Sequence, residues 1–269
     1  DLHGVQHSFP TRRSSDLYRR NYRTLMGLSR PFLFAVAPML LILKQPDLGT
    51  AMVFLPVLFA MLYVAGARPR HLAAVILAGA LLAPAMWFTG AVNAYQKARV
   101  TSFLDPKRDP SGVGYHIIES LVAIGSAGWT GHGYHKGPQN LLNKVPEQET
   151  DFIFAVIAEE WGFLGGALVV GLCFVLFWRL FAIASRTREP FGRLVVAGCA
   201  AMLAFQAVVN MGMTMRLCPI TGLTLPFVSY GGSSLVTNCG VLGVALSVGM
   251  RPKFVVAPED LDWSDDDSS

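Results

Sequence analysis

The sequence predicts an all-α fold, a polytopic integral membrane bundle with a long extracytoplasmic loop. Of the 269 residues, 52% are hydrophobic and only 15% are charged, a balance that is too apolar for a soluble domain of this length. Six apolar segments follow one another along the chain, and basic residues flank alternate ends of them. The formal net charge of +4 is modest and unclustered, so we expect no nucleic-acid partner.

The six apolar segments are the predicted membrane spans. About twenty apolar residues cross the hydrocarbon core as a helix, and a helix satisfies its own backbone groups in lipid. The first segment is short for a span. The six cover residues 31–43, 50–66, 71–92, 152–178, 194–215 and 233–250.

Basic residues orient these segments. Arginine or lysine precedes the first segment, separates the second from the third and the fourth from the fifth, and follows the sixth. Short loops that carry such residues remain in the cytoplasm. Both ends of the membrane domain, residues 18–253, are therefore expected in the cytoplasm, and the long connection 93–151 is expected outside it.

The two ends of the chain are predicted to lie outside the membrane domain. The stretch "HSFPTRRSSDL" back-translates without a gap into a widely used sequencing adapter, so residues 1–17 are interpreted as a non-native leader. A natural basic, serine-rich leader is the alternative. Residues 254–269 form an acidic tail that is expected to be disordered and cytoplasmic. The four cysteines lack paired spacing, which argues against a disulfide framework or a zinc site.

The connection 93–151 is long enough to suggest a functional role. Within it, "YHIIESLVAIGSAG" has the period of a helix and predicts an interfacial or re-entrant helix. The alternative is a short amphipathic helix that covers the bundle. The apolar stripe is expected to hold Ile117, Ile118, Leu121, Val122 and Ile124, with Glu119 and Ser120 off it.

Three carboxylates accompany the fourth segment. Asp151 precedes it, at a position where Thr150 or Asp151 is able to cap the helix. Glu159 is expected two turns deeper on the same face, and Glu160 about 100° around the helix. Carboxylates inside a span usually face a partner or a wet cavity. For Glu160 the expected partner is Asn210 or Gln206 on a neighbouring helix.

Six motifs, in order, resemble those of the SEDS (shape, elongation, division and sporulation) family: "KQPDLGT", "DPSGVGYHIIES", "AIGSAG", "VPEQETDFIFAVIAEEWG", "VNMGM" and "LPFVSYGGSS". "GYHII" with "QPDLGT" is closer to the rod-shape branch of the family than to its division branch. The family usually has about ten spans, so several are expected to be missing ahead of residue 18. Glu149 stands where relatives often carry histidine.

The resemblance implies a peptidoglycan glycosyltransferase of the bacterial cytoplasmic (inner) membrane. Such an enzyme polymerises undecaprenyl-linked lipid II and works with a class B penicillin-binding protein in the elongation machinery. The family's catalytic aspartate corresponds to Asp151, which would act as general base on the acceptor 4-hydroxyl. Direct displacement at the donor anomeric carbon would invert its configuration and release undecaprenyl pyrophosphate.

The pyrophosphate needs stabilisation by lysine, arginine or a divalent cation such as Mg²⁺ or Mn²⁺. Cationic candidates on the outer side are Lys44, Lys97, Arg99, Lys136, Lys144 and Arg216. Arg99 and Lys44 rank first, although snorkelling, or a Lys44–Asp47 pair, is the alternative.

Other groups of the predicted site are polar or acidic. Glu147 is a candidate to hold a metal or to tune Asp151, and Glu159 is a candidate for lining a groove. Ser229 belongs to a glycine-rich turn that either approaches phosphate or merely leads into the last span. His116, His132 and His135 do not have a metal-ligand spacing.

Two other functions remain open from the sequence. A lipid II flippase would need polar groups across the whole bilayer depth, whereas the spans here are mainly apolar. A non-catalytic scaffold for a penicillin-binding protein would leave Asp151 dispensable.

Overall fold

The structure, a computed structural model, describes residues 25–45, 47–89, 94–106, 113–138 and 150–250. The predicted leader and acidic tail lie outside these ranges. Over the described residues the chain is helical and has no strand, which confirms the all-α prediction. The helices are α1 (Leu25–Leu43), α2 (Leu48–Val64), α3 (Pro69–Phe88), α4 (Ala94–Leu104), α5 (Val113–Ser126), α6 (Ile153–Arg186), α7 (Pro190–Thr214) and α8 (Gly232–Met250).

Over the described residues, each of the six predicted apolar segments is mostly helical. The first helix begins earlier than expected, at Leu25, and continues through Pro31 and Pro38. Three helices, α6, α7 and α8, are long and apolar enough to cross a membrane. The apolar parts of α1, α2 and α3 are shorter and cover residues 31–43, 48–64 and 69–82, so membrane crossing by these three stays a prediction.

Helix α7 packs against α2, α6 and α8. Val196 and Leu203 of α7 are fully buried in one cluster with Leu180 of α6 and Ala245 of α8. Towards its other end, α7 packs Val209 against α2 and against residues 215–231, the α7–α8 loop. The bundle therefore holds both ends of α7 in fixed surroundings.

Helix α6 is broken at Gly162. This glycine has φ 67° and ψ −160°, a conformation that is essentially restricted to glycine. A Cβ placed on Gly166 would lie 3.6 Å from Cζ of Phe154, whereas residues twelve apart in a straight helix are separated by about 18 Å along its axis. Residues 153–161 (α6a) thus fold back beside residues 163–186 (α6b).

The break corrects the prediction that Glu159 lies two turns inside the fourth span. Glu159 belongs to α6a, and the unbroken apolar helix starts only at Phe163. At 1.5 Å per residue, α6b is about 36 Å long and is sufficient to cross the hydrocarbon core without α6a. The two glutamates therefore precede the continuous span and do not lie within it.

The loop that follows α5, residues 127–138, pairs with the broken backbone. A helix interruption leaves N–H and C=O groups without their usual partners, and four bonds to this loop replace them. Gly128 and Trp129 carbonyls accept from the N–H groups that start α6b, and N–H groups of the loop donate to the last carbonyls of α6a. The four are Phe163 N to Gly128 O (3.0 Å), Leu164 N to Trp129 O (3.2 Å), His132 N to Glu159 O (3.1 Å) and Gly133 N to Glu160 O (2.9 Å).

Helix α5 lies alongside α6a and runs in the same direction. Near its start, His116 stacks on Phe152, and just beyond its end Gly128 bonds to Phe163. The chain then turns back, because Gly137 lies against the Glu159 carboxylate. Helix α5 thus follows α6a from its start to the break at Gly162, and the 127–138 loop packs against the end of α6a. Whether this segment is re-entrant or covers the bundle stays a prediction.

The predicted apolar stripe of α5 is divided between a buried and an exposed side. Ser120 is fully buried and donates a hydrogen bond to Thr214 O at 3.1 Å, although it was expected on the polar side. Ile117 is buried, whereas Ile118 and Val122 of the same stripe are exposed. The close packing of α5 against α7 favours a small polar residue that can satisfy the carbonyl at the end of α7.

We predict that Gly162→Ala destabilises the protein by at least about 1–3 kcal/mol from backbone strain alone. Its Cβ would also overlap backbone atoms of Trp129, Thr130 and Gly131. Thermal unfolding in detergent, followed by size-exclusion chromatography, measures the loss. Gly171→Ala is the matched control, because a Cβ there meets no atom within 4 Å. Equal melting temperatures for the two variants would contradict the role given to Gly162.

Candidate functional site

Asp151 lies in a turn just ahead of α6a. The N-cap position is Phe152 and the helix begins at Ile153. The prediction that Thr150 or Asp151 caps this helix is therefore wrong. Phe152 is buried in a cluster with Ile117 and Met213. This anchor fixes the start of the helix and leaves the neighbouring Asp151 half-buried.

Two buried side chains tie the Thr150–Asp151 backbone to the end of the bundle. Asn210 Nδ2 donates to Asp151 O at 2.9 Å and to Leu223 O at 2.7 Å. Ser229 Oγ donates to Thr150 O at 2.6 Å and accepts from Leu225 N at 2.7 Å. The carbonyls of two consecutive residues are thus held: a side chain of α7 binds that of Asp151, and a side chain of the α7–α8 loop binds that of Thr150.

Gly222 brings the Asp151 carboxylate and the Arg99 guanidinium to one place. A Cβ built on this glycine would lie 3.7 Å from Asp151 Oδ2 and 4.0 Å from Arg99 Nη2. The φ of Gly222 is +77°, which a residue with a side chain rarely adopts. Because glycine has no side chain, it leaves space next to a carboxylate and a guanidinium that come from distant parts of the sequence.

Helix α4, which carries Arg99, is held by a second arginine. Arg216 Nη2 donates to Phe103 O at 3.4 Å and Leu104 O at 3.3 Å. These carbonyls end the helix, where a cation is favourable. Arg216, one of the predicted phosphate ligands, thus makes a structural contact, and it connects α4 to the α7–α8 loop.

The carboxylates of Glu159 and Glu160 face the 127–138 loop. Glu159 is 1% exposed, and Gly137 lies so close that a Cβ there would be 2.6 Å from the Glu159 carboxyl carbon. Glu160 Oε1 accepts from His135 N at 3.1 Å. The predicted partners of Glu160, Asn210 and Gln206, are wrong, because the bend at Gly162 turns this carboxylate towards the loop and Asn210 bonds to Asp151 and Leu223.

The other predicted site residues lie apart from Asp151 or outside the described ranges. Lys136 is exposed in the 127–138 loop, and Lys44 is exposed after α1. Asp47 accepts a hydrogen bond from Thr50 N at 3.0 Å and so caps α2. Glu147 and Lys144 belong to residues 139–149, which the structure does not describe.

The described residues include His, Cys, Asp and Glu, the side chains that commonly bind metal ions in proteins. Over these ranges, no group of three or more His, Cys, Asp or Glu side chains has a geometry able to hold a metal ion. Beside Asp151 the neighbour is the cationic Arg99, which would repel a divalent cation. All four cysteines are free.

The arrangement of motifs and helices is matched by known proteins. The family described as "Cell cycle protein", whose model bears the names FtsW, RodA and SpoVE, matches residues 13–253. The chain belongs to this family. The resemblance predicted from the motifs is thereby confirmed.

Relatives of this family member carry both the FtsW and RodA names. The probable peptidoglycan glycosyltransferase FtsW of Thiomicrospira cyclica is 40% identical over 90% of this chain and 62% of its own length. The peptidoglycan glycosyltransferase RodA of Treponema pallidum is 33% identical over 87% of this chain and 70% of its own. The chain therefore spans less than two thirds of the FtsW relative.

A solved structure supports the same fold. One chain of a peptidoglycan synthase complex, described as coordinating polymerization and crosslinking, superposes with a TM-score of 0.72 and 38% identity. The match covers 87% of this chain and 65% of that chain. The three helices of membrane-spanning length and the FtsW and RodA relatives indicate that this family member is a multi-pass protein of the inner membrane.

Two parts of the site are not evident from the family motifs. The "VNMGM" motif indicates that Asn210 matters, but its partners become evident only when α7 packs beside the Asp151 turn. Gly222 lies in "TGLT", and a lone glycine in a loop predicts no more than a turn. Contacts across the bundle, between residues 13 to 123 positions apart, create the site.

We predict that Ser229→Ala destabilises this family member by about 1–3 kcal/mol, because it leaves two buried backbone groups without their side-chain partner. Thermal unfolding in detergent is the measurement. Ser233→Ala is the control, since Ser233 is exposed at the start of α8. A melting temperature for Ser229→Ala as high as that of the control would show that the Thr150 contact contributes nothing.

Proposed function

We propose that the chain is the catalytic part of a peptidoglycan glycosyltransferase that polymerises lipid II, with Asp151 as its general base. One observation carries the proposal: Asp151 Oδ2 and Arg99 Nη2 lie beside the same uncrowded glycine, Gly222. The names of the FtsW and RodA relatives support the same activity. The site thus offers a proton acceptor and a cation side by side.

The Asp151 carboxylate takes the proton of the acceptor sugar's 4-hydroxyl. The hydroxyl oxygen forms a bond to the donor anomeric carbon as the bond from that carbon to the pyrophosphate oxygen breaks. The electron pair of the broken bond leaves with undecaprenyl pyrophosphate. Attack from the opposite face inverts the anomeric carbon, so an α-linked donor gives a β-linked glycan.

Arg99 stabilises the charge that develops on the leaving pyrophosphate. Its guanidinium is always charged and can present two donors to phosphate oxygens. Arg216 fixes the end of α4 and thereby keeps the helix of Arg99 beside the α7–α8 loop. A preorganised cation of this kind needs no rearrangement during the reaction. No step is assigned to a divalent cation, since the described residues hold no group of three or more His, Cys, Asp or Glu side chains able to bind one.

The site lies at the outer face of the membrane in this proposal. Trp129, Tyr134 and Trp161 are exposed around the break at Gly162, and tryptophan and tyrosine concentrate at membrane–water interfaces. The opposite end of α6 carries Arg179 and Arg186, which favour the cytoplasmic side. Sugars of a flipped lipid II would then meet Asp151 outside the cytoplasm.

The proposed partner is a class B penicillin-binding protein, which would crosslink the glycan that this chain makes. The matching chain of the peptidoglycan synthase complex supports such an assembly. The proposed biological role is elongation of rod-shaped cells, because "GYHII" and "QPDLGT" resemble the rod-shape branch. A flippase fits less well, since Glu159 and Glu160 precede the continuous span and leave its apolar interior with fewer polar groups.

We predict that Asp151→Asn in the full-length protein lowers the polymerisation rate by about 10²–10⁴-fold, the usual effect of losing a general base. The amide keeps the size of the side chain but cannot accept the hydroxyl proton. Purified lipid II, the transpeptidase partner and gel analysis of glycan products provide the assay.

Glu159→Gln is the comparison variant. Its carboxylate faces Gly137 in the 127–138 loop, so stability or substrate affinity should change more than the chemical rate. Near-normal polymerisation by Asp151→Asn at matched protein levels would reject Asp151 as the base. Absence of glycan product with the unchanged full-length protein and its partner would favour the flippase or the scaffold.

We further predict that residues 93–150 face the cell exterior. In a variant without native cysteines, a cysteine at Lys136 should react with an impermeant thiol reagent in spheroplasts. A cysteine at Arg188, which is exposed between α6 and α7, should react only after lysis. The reverse pattern would overturn the orientation.

A further inference from the structure

We propose that Asn210 is a positioning residue that holds Asp151 and the Gly222 turn at a fixed separation. The inference rests on the proposed function, because it explains how the base is kept in place. Asn210 lies on α7, outside the elements that carry Asp151 and Arg99. It acts through backbone carbonyls and does not itself touch the reacting atoms.

The side chain of Asn210 is fully buried. Its amide nitrogen carries two donors, and both are used: one bond goes to Asp151 O at 2.9 Å and the other to Leu223 O at 2.7 Å. Among the described residues, Asn210 Oδ1 has no hydrogen-bond partner. Both neighbours are carbonyl acceptors, so the nitrogen end of the amide has to face them. The two donor bonds therefore account for a polar group in this apolar contact.

The two carbonyls belong to the two sides of the site. Asp151 precedes the N-cap of α6a, so the helix does not itself fix its backbone. Leu223 follows Gly222, whose built Cβ would lie near both Asp151 Oδ2 and Arg99 Nη2. A single amide on the firmly packed α7 thus sets the distance between the base and the glycine that leaves space for its substrate.

Ser229 makes the neighbouring contact, through Thr150 O. It binds from within the α7–α8 loop, which carries Gly222 as well, and therefore cannot by itself fix that loop relative to the bundle. Cys218 and Thr221 also bond this loop to α7. Asn210 of α7, however, binds both the loop and the Asp151 carbonyl. Displacing a reacting group by about 1 Å can reduce a rate on the order of 100-fold, so a change in this separation should appear in catalysis.

The test compares Asn210→Ala with Gln206→Ala in the full-length protein. Gln206 is one turn away on the same helix, is half-buried, and its Oε1 makes no hydrogen bond to the described residues. With lipid II as substrate, Asn210→Ala should lower kcat about 10- to 100-fold and change KM less than about threefold. Gln206→Ala should stay within about twofold of the unchanged protein in both constants.

Hydrogen exchange by mass spectrometry gives a readout that needs no turnover. Peptides covering 150–156 and 219–228 should exchange faster in Asn210→Ala, whereas peptides from α8 should be unchanged. Wild-type kcat in Asn210→Ala, or unchanged exchange in both peptides, would overturn the positioning role. A lower kcat/KM that is accompanied by faster exchange in all helices would also overturn it, because it would indicate a general loss of stability.

The two proposals can fail separately. If Asp151→Asn polymerises lipid II normally, the general base is rejected, and exchange in Asn210→Ala still decides whether this amide couples the two segments. If Asp151→Asn is inactive and Asn210→Ala is fully active, the base stands and the positioning role is rejected.

Discussion

A backbone that leaves helical geometry next to an apolar span must find other hydrogen-bond partners, since lipid offers none. The break at Gly162 poses this requirement, and the 127–138 loop meets it with four backbone bonds. Glycine is needed on both sides of the contact, because a Cβ on Gly131 or Gly162 would overlap the opposing backbone. The fold-back of α6a and the packing of the 127–138 loop against it both depend on this junction.

The site depends on the fold-back. Because α6a does not continue the span, its N-terminal turn comes to lie beside the end of α7, where Asn210 reaches the Asp151 carbonyl. The same placement brings the α7–α8 loop against Thr150 through Ser229. A straight α6 would carry Asp151 about 15 Å or more from the start of α6b along the helix axis, and these contacts could not form.

The packing also separates the acidic residues by role. Asp151 is half-buried beside a guanidinium and an uncrowded glycine, whereas Glu159 and Glu160 are buried against backbone of the 127–138 loop. Carboxylates that bind loop N–H groups organise structure, and a carboxylate beside open space can take part in chemistry. One short stretch of sequence thus supplies both kinds, since the bend at Gly162 determines what each side chain faces.

The sequence by itself determined the all-α class, the six apolar helical segments, the family and the prominence of Asp151 and Arg99. These follow from composition, from periodicity and from short ordered motifs, all of which are local along the chain. Tertiary structure decided where the fourth span begins, which partners Glu160 and Asn210 bind, and which face of α5 is buried. The reason is physical: one glycine with a positive φ reverses the direction of α6, and apolar periodicity is the same on both sides of the break. Asp151 and Arg99 come to lie near Gly222 only after that fold-back, so no local pattern could have specified their proximity.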